Sequence, residues 1–130
     1  MDQQIINGSM KALLKAQQGE LDAVLMYKKL AEVVNEQDAV VFRQLAAEEG
    51  RHASVFHNYT YTKTVLDPKK VKSILIPFLY RTVGRERTYK LIAGREYSAA
   101  EKYKTLVCTF EDVVSVMNDE VRHGDMVKAL

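Results

Sequence analysis

The chain is predicted to fold as an all-α four-helix bundle, two antiparallel hairpins joined by one long crossover. Three observations predict it. Apolar residues recur at helical spacing along nearly all 130 residues, and no alternating run is long enough for a strand. Pro68 and Pro77 are the two prolines, and both lie near the middle of the chain, leaving long stretches on either side free to be helical. Two connections are tight, while the one between them is about 25 residues, enough to travel the length of a bundle and re-enter at its far end.

The elements follow in order. Ser9, after Asn7 and Gly8, offers an N-cap for a first helix from 9 to about 34. Residues 35–38 read as a tight connection, and a second helix is expected over 38–57. The pattern is then lost from 58 to 66, a stretch rich in Thr and Tyr that reads as irregular or extended. Asp67 and Pro68 form a restart signal, with Asp as N-cap and Pro at the first helical position. The apolar segment that follows, to about 83, contains Pro77 and is expected to be a short or kinked helix. Gly84 breaks it. A third long helix is expected from about 85 to 108, and Thr109 to Asp112 resembles a capping box that opens the fourth.

Composition bounds the function. The chain is 47% hydrophobic and reads as one domain over residues 1–130, with enough apolar material for a core. Its 19 basic and 17 acidic side chains leave a net charge of +2, which argues against nucleic-acid binding driven by electrostatics. Cys108 is the single cysteine, so neither an internal disulfide nor a thiolate metal cluster can form, and a buried structural thiol is expected there. The most apolar stretch, 73–80, is less than half of the ~20 residues a membrane span needs. The first residues lack a basic region followed by an apolar run, so no secretion signal is expected. A cytoplasmic location is the resulting expectation.

Chemistry enters when the core stripe of each long helix is written at heptad spacing. The first helix gives Leu13, Ala16, Glu20, Ala23, Tyr27, Leu30 and Val34. The second gives Val41, Leu45, Glu49, His52 and Phe56. The third gives Tyr89, Ile92, Glu96, Ala99, Tyr103, Leu106 and Phe110. The fourth gives Val113, Val116, Glu120, His123 and Val127. Each stripe is apolar except for one carboxylate, joined on the second and fourth helices by a histidine one turn on. An unpaired ionised carboxylate costs several kcal/mol to bury, and four together repel one another. The stripes hold no Lys or Arg. A pair of divalent metal ions would neutralise the carboxylates and use both imidazoles.

Height agrees with facing. Glu20 precedes the first connection by about 16 residues, and Glu49 and His52 follow it by about 13 and 16, which places them level in an antiparallel hairpin. Glu96, Glu120 and His123 match in the same way about Thr109. The hairpins also repeat. Glu20 and Tyr27 correspond to Glu96 and Tyr103, and Glu48, Glu49, Arg51 and His52 correspond to Asp119, Glu120, Arg122 and His123. One Glu-x-x-His arises readily by chance, whereas two in matched repeats, each preceded by an in-facing Glu, form a specific signature. The competing reading is a buried polar network that fixes bundle register.

At these residues the sequence resembles the ferritin-like di-iron carboxylate proteins, and most closely their rubrerythrin and erythrin branch, over about 9–127. The resemblance implies two iron ions, with zinc or manganese as other divalent occupants. Glu20 and Glu96 would be terminal ligands, Glu49 and Glu120 bridging ligands, and His52 and His123 would complete one iron each. By the same resemblance Asp119 would support His52, and Glu48 would support His123. The implied activity is oxidation of ferrous iron or reduction of peroxide or O2. The alternative is a non-catalytic iron-binding module that senses or delivers metal to a partner, and a third reading is an oxygenase with an apolar channel to the irons. The chain lacks the four cysteines of a rubredoxin domain, so an external electron donor is expected, together with a homodimer. It has Ala99 where rubrerythrin has an extra glutamate, and no further short helix after the fourth, which makes a mineral-storing cage unexpected.

Tyr27 and Tyr103 are candidate catalytic residues, as hydrogen-bond donors to ligands or as radical carriers. The competing reading is aromatic core filling with satisfied hydroxyls. Arg51 and Arg122 are expected to pair with acids at the surface, and His57 to be exposed or helix-terminal. Gly19, Gly50, Gly94 and Gly124 each lie within two residues of a proposed ligand, which suggests close helix approach or a path for a small oxidant. The 73–80 segment is expected to cover the open side of the bundle, to form a dimer surface or to touch a membrane, in that order.

Overall fold

A computed structural model describes residues 3–61 and 66–130. The described chain is all helical, with α1 (Gln3–Ala31), α2 (Glu36–Thr60), α3 (Val71–Val83), α4 (Arg85–Tyr103) and α5 (Val113–Lys128). The four long helices form the predicted bundle. α1 packs against α2, α4 against α5, and α2 against α5, while α3 rests on α1 and α4.

Local chemistry places the helix ends. The Asn35 side chain accepts from the backbone N–H of Asp38 at 2.9 Å and caps α2. Tyr61, at φ 46°, ends α2 in the left-handed region, with its N–H returned to the His57 carbonyl. Gly84, with φ 94° and ψ 171°, separates α3 from α4 in a conformation that a Cβ strongly disfavours. Its carbonyl then accepts from both the backbone and the hydroxyl of Thr88.

Several expected boundaries move, each for a visible reason. α1 begins at Gln3 and runs through Ser9, since a Gly or Ser inside a helix costs no more than about 1 kcal/mol and nothing here turns the chain. α1 stops at Ala31 in a turn closed by the Leu30 carbonyl. The 58–66 stretch is helical as far as Thr60, and its residues 62–65 lie outside the described residues. Asp67 and Pro68 do not open α3. Gln18 donates to the Asp67 carbonyl at 2.8 Å, and Asp22 accepts the Lys69 N–H at 2.7 Å, so 66–69 is tied to α1 as irregular chain. α4 ends at Tyr103, and residues 104–109 form successive turns. The capping box at Thr109 does not form; Asp112 precedes α5 and accepts from the Tyr59 hydroxyl at 3.1 Å. Because the turns carry Cys108 out of the helix, its thiol is exposed, contrary to the buried position expected.

The core is two apolar clusters with a polar layer between them. Tyr27, Leu30, Phe42, Leu45, Ile76, Tyr89, Ile92 and Val127 belong to the first cluster. Leu13, Phe56, Tyr103, Leu106, Val113 and Val116 belong to the second. Between them along every long helix lie Glu20, Glu49, His52, Glu96, Glu120 and His123, none more than 5% exposed. Asp38, also buried, ties the hairpins together at one end by accepting from Arg85 Nε (2.9 Å) and the Tyr89 hydroxyl (2.6 Å).

The 73–80 segment covers the bundle with one face only. Ser73, Ile76 and Pro77 are buried against it, while Ile74, Leu75 and Phe78 are exposed. Gly124 is the one helical glycine near the site that close approach explains, because a Cβ there would stand 2.5 Å from the Tyr97 ring. At Gly19 and Gly94 a Cβ would meet nothing, and at Gly50 it would make ordinary contact with Val24. Gly84→Ala should destabilise the fold by about 1–3 kcal/mol through backbone strain alone. Urea unfolding followed by circular dichroism measures this, with Gly94→Ala as the helical control expected to be neutral or stabilising.

Candidate metal centre

The polar layer brings all six predicted ligands together. Two overlapping groups form, Glu20, Glu49, His52 and Glu120 on one side and Glu49, Glu96, Glu120 and His123 on the other. In each group one potential ligand atom from every residue lies within 4.8 Å of all the rest. Glu49 and Glu120 belong to both groups, while Glu20, His52, Glu96 and His123 belong to one each. The two imidazole rings stack with centroids 5.5 Å apart.

Both histidines present Nδ1 to the centre. His52 Nδ1 lies 3.0 Å from Glu120 Oε1 and 3.5 Å from both Glu20 Oε2 and Glu49 Oε1. His123 Nδ1 lies 2.8 Å from Glu49 Oε1, 3.6 Å from Glu120 Oε1 and 3.8 Å from Glu96 Oε2. These atoms converge without hydrogen-bond alignment. Among the described residues Glu20 Oε2, Glu49 Oε1, His52 Nδ1, Glu120 Oε1 and His123 Nδ1 are buried with no hydrogen-bond partner. Buried polar atoms are nearly always hydrogen-bonded, and a set of orphans that are all donors of lone pairs to one point fits a metal ion.

The far side of each ring is held. His52 Nε2 meets Asp119 Oδ2 at 2.8 Å, and His123 Nε2 meets Glu48 Oε1 at 3.2 Å, each acid coming from the opposite hairpin. Such contacts fix the proton on Nε2 and leave the Nδ1 lone pair for the centre. Arg122 then pairs with Glu48 and, at 3.1 Å, with Asp119, while Arg51 lies 3.6 Å and 3.7 Å from the same two acids. Each imidazole is therefore backed by a carboxylate and each carboxylate by a guanidinium. The arginines pair with acids as expected, and His57 is an exposed residue that meets Gln17.

The tyrosines cross between hairpins. Tyr27 of α1 donates its hydroxyl proton to Glu96 of α4, and Tyr103 of α4 donates to Glu20 of α1 at 2.7 Å. Both rings are buried in the core, so aromatic filling and hydrogen bonding to the predicted ligands occur in the same residues.

Burial and the crowding of like charge govern the electrostatics of this layer. Burial, then the charge of Glu20, pushes the Glu49 carboxyl well up from its ordinary range. Burial likewise raises Glu120, against the contact with His52 and with the help of Glu20, Glu49 and Glu96. The two carboxyls pushed up are the two common to both groups. Burial raises Tyr27 and Tyr103 as well, reinforced by the neighbouring carboxylates, so both phenols keep their protons. Burial disfavours the charged form of His52, but Glu120, Glu20 and Glu49 outweigh it and raise its pKa.

A cleft between α1 and α4 leads from the surface to this layer. These two helices are not in contact along their backbones. Glu20, Glu49, Glu96 and Glu120 lie at its base, and Ala99 stands in its wall. Gly19 lines it too. The rim residues Lys15, Lys72, Arg95 and Lys102 lie off every core stripe, and only the placement of α1, α3 and α4 gathers them around one opening.

The fold and site define a ferritin-like helical bundle with a buried carboxylate–histidine centre able to hold metal. The chain belongs to the rubrerythrin family, whose profile matches residues 11–130. No curated protein and no solved structure matches it.

Glu48 supplies a pH test of the support around the centre. Burial opposes its ionisation, but Arg122, His123 and Gln44 outweigh this and lower its carboxyl to about 2. A depressed pKa contributes stability above the unfolded value, lost as pH falls through the folded one. Metal-free protein should therefore lose on the order of 2–3 kcal/mol from this group between about pH 4.5 and 2. Glu48→Gln should be less stable at pH 7 and flatter across that window in urea titrations; an unchanged slope would remove Glu48 from this role.

Proposed function

We propose that this chain is a non-haem di-iron oxidoreductase that oxidises ferrous iron or reduces peroxide or O2. The observation that carries it is the convergence of five buried, hydrogen-bond-deficient ligand atoms on one layer. Family membership supports iron as the metal, ahead of zinc or manganese. Two irons held there would supply paired one-electron changes and Lewis acidity in a preorganised core.

The chain's own residues divide the work. Glu49 and Glu120 would serve both ions, because each belongs to both groups. Glu20 with His52 and Glu96 with His123 would complete one ion each. Asp119 and Glu48 orient the imidazoles by holding Nε2. Tyr27 and Tyr103 hold Glu96 and Glu20 through one carboxylate oxygen, and their protected protons lie at the edge of the cleft through which a small oxidant would enter. The cleft's open mouth is also the route by which a small external reductant would reach the centre.

Anaerobic ferrous loading followed by metal analysis and anomalous scattering at the iron edge tests the centre. Two irons per chain are expected. Glu49→Ala should lose both, and two full-occupancy irons in that variant would overturn the bridging assignment. Repeated consumption of peroxide or O2 with a reductant would establish the oxidoreductase, whereas iron binding without turnover would mark a module that senses or delivers metal. Stopped-flow comparison of peroxide with O2 selects between the two oxidants.

Tyr27→Phe and Tyr103→Phe remove the crossing hydrogen bonds while keeping the rings. Iron content should persist while oxidation of the bound iron slows by about 10–100-fold. Rates equal to the parent's would reduce both residues to core filling.

A further inference from the structure

The α1–α4 cleft is far larger than the oxidant needs. Its volume is about 740 Å³, whereas one water occupies about 30 Å³ of liquid and sites for small organic ligands span roughly 300–1,000 Å³. Its lining is sorted by chemistry. Ala16, Ala23, Ala99 and Leu106 contribute apolar walls, and the carboxylates of the candidate metal centre lie at its base. Lys15, Lys69, Lys72, Arg95 and Lys102 also line it, and among the described residues none of these five forms an ion pair.

Lys72 of α3 and Arg95 and Lys102 of α4 line the opening together. Lys72 is half-buried at the start of α3, and burial, then the charge of Arg95, lowers its ammonium pKa; Lys102 acts in the same sense, and Asp22 and Glu20 oppose it. Asp22 also lines the cleft; its Oδ1 accepts from the Lys69 backbone and from Gln18, and among the described residues it forms no ion pair with Lys72. Like charges gathered at the lip of a concave, apolar-walled space are the complement of an anionic head on an apolar body.

We propose that this cleft binds a small amphipathic organic anion, a carboxylate or phosphate monoester on an apolar chain, with its head at Lys72, Arg95 and Lys102 and its chain against Ala16, Ala23, Ala99 and Leu106. The inference rests on the di-metal reading in one respect. Bound cations would neutralise the carboxylates at the base, which otherwise repel the ligand.

Iron-loaded protein titrated calorimetrically with decanoate, decyl phosphate, decanol and inorganic phosphate tests it, with iron content measured in every sample. Saturable binding of decanoate or decyl phosphate is expected, and the tighter of the two identifies the head. Decanol and inorganic phosphate should each bind at least about tenfold more weakly, since each lacks one half of the match. The Lys72→Gln/Arg95→Gln double variant should keep its iron and lose about tenfold or more in affinity for the anion, with the parent's affinity falling as salt rises. Decanol binding as tightly as decanoate, or an affinity untouched by the double variant, would overturn the proposal. So would binding of polyglutamate in place of both decyl anions, which would assign the rim to an acidic protein surface. Failure of the protein to take up iron would instead strike the di-metal reading, and the iron analysis separates the two failures.

Discussion

Four carboxylates and two imidazoles packed between two apolar clusters create an electrostatic demand that the rest of the molecule answers. Burial alone opposes ionisation of Glu49 and Glu120, and their neighbours add repulsion. Hydrogen bonds relieve part of this. Tyr27 and Tyr103 satisfy one oxygen each of Glu96 and Glu20, and the histidine Nε2 atoms are satisfied by Asp119 and Glu48. What is left over is the inward set of lone pairs. A polar network evolved merely to hold register would be expected to satisfy itself, because a half-satisfied buried network is less stable than an apolar core.

The arrangement has the logic of a repeated hairpin. Each supplies a glutamate with a tyrosine two turns on, then an acidic residue, a glutamate and a histidine. The supporting contacts all run from one hairpin to the other: Tyr27 to Glu96, Tyr103 to Glu20, Asp119 to His52, Glu48 to His123. Docking the hairpins is therefore the same event as orienting the six residues of the layer. The Asp38–Arg85–Tyr89 contacts at one end contribute to that docking without touching the centre.

Much of the site was legible in the sequence. Glu20, Glu49, His52, Glu96, Glu120 and His123 interrupt apolar stripes at matched heights, and both periodicity and antiparallel connection are local properties. Boundaries were less legible where a distant side chain competes for the backbone. Asp67 and Pro68 carry a helix start signal, yet Gln18 and Asp22 hold the following residues to α1. Thr109 to Asp112 carries a capping pattern, yet Asp112 is engaged by Tyr59. Cys108 sits at the end of a helical pattern but is exposed, because α4 gives way to turns after Tyr103.

The sequence by itself determined the all-helical class, the level of the polar layer and the six residues in it, since 3.6-residue periodicity and the rise per residue suffice to place side chains on one face at one height. Tertiary structure decided what those residues do to one another. Which carboxylates are shared between the two groups, which tyrosine meets which glutamate, and which nitrogen of each histidine faces inward depend on the relative placement of helices far apart in the chain. The separation of α1 from α4 belongs to the same category. It opens a cleft onto the layer, at which Lys72 of α3 joins Arg95 and Lys102 of α4, a juxtaposition of two helices that no local pattern encodes.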